Sequence, residues 1–130
     1  MLFCASHTHQ APSVDVDAPY IAPMEAKIGD AIEEAVKDLA PAQIGVGHTQ
    51  VDIGHNRRLV LDDGSVRMLW RNAEKIPTAP VDNEAGVIRV ESADGNLRAV
   101  FVHYACHPVV LGMDHTQYSA DWVGAMAKTV

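Results

Sequence analysis

His7 and His9 stand one residue apart in ASHTHQAP, residues 5–12, directly after the apolar run MLFCA. Residues two apart share one face of an extended chain. Two imidazoles aimed at one point make a chelate for a transition metal, zinc above all. A second run, FVHYACHPVVLG, closes its apolar stretch at His107, and Pro108 cannot continue a strand ladder. A buried strand ending in histidine puts that side chain where open α/β sheets hold their sites. The expectation is that His7 and His107 converge on one metal. Against it stands the simpler reading of polar histidines satisfied at loop starts.

Other side chains are weighed the same way. His103 alternates onto the face of Phe101 and His107 and reads as a hydrogen-bonded core histidine. Cys106 and Cys4 fall on the opposite faces from His107 and His7, so both read as small buried hydrophobes. His48, His55 and His115 read as surface residues. GHNRR, residues 54–58, carries two guanidinium groups that could meet a carboxylate or a developing oxyanion, or simply face water. In YSADWVG, Ser119 and Asp121 read as helix caps. No GxSxG turn surrounds Ser119 to make it a nucleophile.

The elements that would hold these residues follow from periodicity. Residues 2–6 read as a short buried strand. Ile21, Met24, Ile28, Ile32, Ala35, Val36 and Leu39 mark one face of a long helix, capped by Asp17 and ended by Pro41. Residues 42–53 read as a strand. Residues 57–70 and 86–107 read as hairpins turned on Asp63-Gly64 and Asp94-Gly95. The second strand of the latter is nearly all apolar, as a central strand would be. A last helix starts near Ala120. The predicted class is α/β: a mixed β-sheet with hairpins, flanked by helices. The chain opens inside a strand and closes inside a helix, so residues 1–130 are expected to be a partial domain, a fragment of a larger catalytic domain.

Composition narrows the function. The 130 residues are 48% hydrophobic, enough for a core, and carry a formal charge of −7. A nucleic-acid binder needs a basic surface, and the longest basic run is Arg57-Arg58. No apolar stretch approaches a membrane span.

Four segments in order resemble the neutral (non-lysosomal) ceramidases. ASHTHQAP resembles their THTHSGP segment, GHNRR their NxNR segment, and YSADWVGAM their SGDxxG helix start. Residues 81–112, VDNEAGVIRVESADGNLRAVFVHYACHPVVLG, resemble two strands leading to a zinc-binding turn. The resemblance spans nearly the whole chain. It implies a zinc-dependent amidohydrolase that cleaves the N-acyl bond of ceramide or a related lipid or amide, presented at a membrane surface, in a secreted or periplasmic protein. It assigns His7 and His107 as ligands of Zn²⁺, and His9 and Arg57 as catalytic residues. His9 is then the proton shuttle, and Arg57 holds the oxyanion or a polar group of the substrate. It places a serine segment and Glu and Tyr zinc ligands beyond these residues, so the 130-residue chain alone is expected to be inert and to bind zinc weakly. Gln10 and Pro108-Val109-Val110 depart from the family's Ser and Gly-Thr-Ser. Two rivals remain: a binuclear HxH metal hydrolase using His7 and His9 together, and a non-catalytic structural or interaction domain.

Overall fold

A computed structural model describes residues 4–13, 15 and 17–130. Among them are two helices and five strands: α1 Ile21–Lys37, β1 Ala42–Gln50, β2 Arg58–Val60, β3 Val66–Met68, β4 Glu84–Ser92, β5 Leu97–Tyr104 and α2 Asp121–Thr129. The strands form two antiparallel sheets, one in the order β1-β4-β5 and one of β2-β3. This is the α/β composition with hairpins that the periodicity predicts. The chain divides into two compact units. The first takes Met1–Gln43, Glu91–Asn96 and His107–Val130; the second takes Ile44–Val90 and Leu97–Cys106.

Both Asp-Gly pairs make the expected turns. In the second unit, Val60 pairs with Val66. The Gly64 N–H then donates to Leu61 O at 2.9 Å, and the Leu61 N–H to Ser65 O at 2.9 Å. Gly64 sits at φ 79°, the left-handed position of a three-residue hairpin loop that disfavours any Cβ. Asp63 accepts the Ser65 hydroxyl at 2.6 Å and the Ser65 N–H at 2.9 Å, and these bonds hold its carboxyl below the usual range. The loop between β4 and β5 repeats this pattern with Ser92, Gly95 and Asn96.

Three expectations about strands are corrected. β1 stops at Gln50 rather than Ile53. β5 stops at Tyr104, three residues short of His107, and lies at the edge of its sheet rather than the centre. Its apolar run therefore reflects one-sided contacts: Val100, Val102 and Tyr104 are half-buried, whereas Phe101 and His103 are exposed. His103 is not a core histidine. The strand expected over 2–6 lies partly outside the described residues; Cys4, Ala5 and Ser6 belong to no strand, and Cys4 is exposed rather than buried.

In the first unit, α1 begins later than its cap signal. Asp17 donates its N–H to Asp15 Oδ1 and lies outside the helix. The N-cap is Tyr20, which makes no side-chain cap bond. Two backbone turns, Ala18 to Asp15 and Ile21 to Ala18, lead in instead. Pro23 falls in the first turn, where it removes no intrahelical donor. The helix closes as the Asp38 N–H donates to Glu34 O at 3.0 Å, ahead of Pro41. Of the apolar stripe, Ile21, Ile28 and Ile32 are half-buried and no α1 residue is fully buried.

α2 starts from an unusual backbone. Asp121 has φ 54°, Ala120 is the N-cap, and the Gly124 N–H donates to Ala120 O at 3.2 Å. A Cβ on Gly124 would meet Ala120 Cβ at 2.7 Å. Alanine for glycine inside a helix ordinarily stabilises by about 0.5–1 kcal/mol. Here overlap with an atom fixed to the backbone reverses the sign. Gly124→Ala is expected to lower stability by about 1–3 kcal/mol in denaturant titration; a stabilised variant would contradict this geometry.

Candidate metal centre

Three histidine rings meet in the first unit. The ring centroids are 5.3 Å apart for His7 and His9, 5.0 Å for His7 and His107, and 4.6 Å for His9 and His107. One ligating nitrogen from each lies within 4.8 Å of the others. His9 and His107 are closest, Nε2 to Nε2 at 2.9 Å, a spacing at which one ring donates its N–H to the other. Nitrogens around a tetrahedral zinc, with Zn–N near 2.0–2.1 Å, stand about 3.3 Å apart. The His9–His107 spacing is a little shorter than that value, and all three nitrogens stay within 4.8 Å of one another. The chemistry of the donor set also fits: three imidazoles and no competing carboxylate within the group. His7 and His9 are exposed and His107 is half-buried, so the cluster is accessible to water.

The local backbone differs from the one that spacing alone suggests. His7 has φ 58°, so the 7–9 segment is not extended and the rings do not converge by simple alternation. His107 is likewise aimed by a loop, not by a strand end. The Val109 N–H donates to His107 O at 2.9 Å, and the Gly112 N–H to Val109 O at 3.1 Å. These two bonds fold the segment back immediately after the histidine.

Residues 119–121 hold both histidine segments, Ser119 through its backbone and Asp121 through its carboxylate. Thr8 Oγ1 donates to Ser119 O at 2.7 Å, the Ser119 N–H donates to Gln10 O at 3.0 Å, and Gln10 pairs with Ser119 as an isolated antiparallel bridge. Gln10 Nε2 donates to Gly112 O at 3.1 Å. The Asp121 carboxylate accepts the N–H groups of Trp122 at 2.7 Å, Leu111 at 3.1 Å and Val110 at 3.2 Å. Burial pushes this carboxyl up, but the N–H groups of Trp122, Leu111 and Val110 and the charge of His115 outweigh it and hold it below the usual range. His115 is thus half-buried and acts on Asp121, not the bare surface residue expected. The N-cap position of α2 is Ala120, but Ser119 and Asp121 both accept N–H groups of its first turn, as the sequence suggests. Ser119 Oγ accepts the Asp121 N–H at 3.0 Å, and the Asp121 carboxylate bridges to a distant turn.

Arg57 belongs to the second unit. Its guanidinium lies over the Trp70 ring, 5.2 Å from the centroid, a cation–π contact. Its carbonyl accepts the Leu69 N–H at 2.7 Å. Arg58, the first residue of β2, is exposed. His55, expected at the surface, is half-buried with Nε2 2.9 Å from Leu69 O. It also lines a polar groove of about 380 Å³ with Asp52, Asn72, Lys75, Thr78 and Asn83, among others. Cys106 is half-buried and forms no disulfide. Comparison with family models, curated proteins and solved structures finds no match to this chain.

Proposed function

We propose that this chain holds a zinc ion through His7, His9 and His107 and forms part of the catalytic domain of a ceramidase-like amidohydrolase. The observation that carries the metal reading is the meeting of three imidazoles from segments 98 residues apart. The substrate class rests on the resemblance of the four segments. The 2.9 Å contact between His9 and His107 favours a ligand role for His9 over the proton shuttle implied by the resemblance. It equally favours one shared ion over a binuclear site built on His7 and His9 alone. Zinc with three protein nitrogens and an open position supplies Lewis-acid polarisation of an amide carbonyl and activation of water. The chain's own part is to aim the three nitrogens and leave them accessible to water. The oxyanion role of Arg57 rests on the resemblance alone; within the second unit its guanidinium is held over the Trp70 ring.

Two measurements test this. Metal analysis of the pure chain equilibrated with zinc is expected to give one ion per chain; a metal-free chain would leave the non-catalytic reading. For the activity, release of fatty acid from N-acyl sphingosine is expected only from a longer chain that adds a serine segment. In that protein Arg57→Ala should reduce turnover far more than Arg58→Ala. Equal losses, or full activity from the 130 residues alone, would refute the assignment.

A further inference from the structure

We propose that Asp121 is a positioning residue of the histidine site: its carboxylate fixes the turn that aims His107, and zinc affinity depends on it although it is no ligand. The proposal rests on the zinc reading above.

The argument begins with burial. Among the described residues only Gln10, Ala85, Pro108 and Asp121 are buried. Three of these four adjoin the histidine segments. Asp121 retains only 8% of its exposure, and a buried carboxylate is costly unless its oxygens are met by donors. They are met by backbone N–H groups of Val110 and Leu111, the two middle residues of the Val109–Gly112 turn, and of Trp122. Neighbouring N–H groups converging on one anion are a strong, directional arrangement. Because the Val109 N–H is bonded to His107 O, the turn and the His107 backbone move together. The other histidine segment is fastened to the same place, through Gln10 Nε2 to Gly112 O and Thr8 Oγ1 to Ser119 O.

Backbone conformation supplies a second, independent observation. Only His7, Lys75 and Asp121 adopt positive φ among the described non-glycine residues. Two of the three belong to this assembly. Such residues persist where the surroundings over-determine them, and they cluster at functional sites. Asparagine tolerates this conformation about as well as aspartate. Asp121→Asn therefore changes little but the acceptors: one carboxylate oxygen becomes an NH₂ group, which then faces an N–H donor.

The test measures zinc affinity of the 130-residue chain by competition with a chromophoric chelator, alongside the visible spectrum of the cobalt(II)-substituted site. Asp121→Asn is expected to weaken zinc binding about 10–100-fold and to alter the cobalt spectrum. Gly64→Ala, which strains a hairpin in the second unit, should lower stability and leave both readouts unchanged. Ser119→Ala deletes only the hydroxyl that accepts the Asp121 N–H and should cost about fivefold in affinity. It keeps the question answerable if Asp121→Asn does not fold. Wild-type affinity in Asp121→Asn or Ser119→Ala, with wild-type protein binding zinc, would overturn the positioning role and leave the metal site standing. Failure of the wild-type chain to bind zinc would overturn the reading beneath both. Equal losses in Gly64→Ala would show a general stability effect and also overturn the positioning role.

Discussion

His107→Ala is expected to weaken zinc binding by about a hundredfold or more. Structural zinc sites contribute roughly 10–16 kcal/mol through four ligands, so one ligand accounts for about 3 kcal/mol. His107 is the strongest choice because it comes from the other end of the chain. Without it, only His7 and His9 remain, both on one short segment and both exposed. The same competition assay applied to His7→Ala and His9→Ala separates the roles. Comparable losses for all three indicate one ion held by three imidazoles. A small loss for His9→Ala, with activity falling in the longer protein, returns His9 to proton transfer. His48→Ala and His103→Ala are the controls, since both residues are exposed on strands and neither joins the cluster. A loss in either control equal to that of His107→Ala would mean that binding is diffuse and that the cluster is not the site.

The sequence announces this site more clearly than it announces how the site is held. HxH at 7–9 and the histidine before Pro108 are legible because residue type and local spacing mark them. The turns at Asp63-Gly64 and Asp94-Gly95 are legible for the same reason: each needs a left-handed residue, and glycine shows where it is. The α1 stripe is also plain, because a 3.6-residue period is a local property. The bend at His7 is not plain, since no glycine announces its positive φ. Nor is the end of β5 at Tyr104, because the apolar run continues to Cys106 while the ladder does not. The least legible residue is Asp121. Locally it looks like a helix cap, and two of its three partners lie ten and eleven residues back in the chain. The only sequence signal was the clustering of Ser119 and Asp121 ahead of a helix, which a cap explains equally well. Which acceptor a buried N–H finds is set by tertiary geometry, and no periodicity encodes it.

Acid is expected to loosen the first unit through Asp121. Its carboxyl titrates below the ordinary range in the folded chain: burial opposes the shift, and the Trp122, Leu111 and Val110 N–H groups with the charge of His115 produce it. The sign follows from linkage. A group whose folded value is depressed contributes its stability in full above the unfolded value, ~3.9 for Asp, and that contribution is lost as pH falls through the folded value. Wild-type stability should therefore decline below about pH 4. Asp121→Asn should be less stable at neutral pH by about 2 kcal/mol, the order of one charge-assisted bond lost with its buried donor unmet. Its acid decline should be correspondingly shallower, because the titrating group is gone. Asp63 and Asp94 shift in the same direction in their turns, but both face water, where screening weakens such contributions. Asp63→Asn should accordingly leave the acid limb nearly as steep as in wild type. The chain has two tryptophans, so in a Trp70→Phe background Trp122, whose backbone N–H is bonded to Asp121, is the sole tryptophan reporter. Its unfolding followed across pH 3–7 distinguishes the cases. Parallel pH profiles for wild type and Asp121→Asn would show that the buried carboxylate does not carry the acid sensitivity.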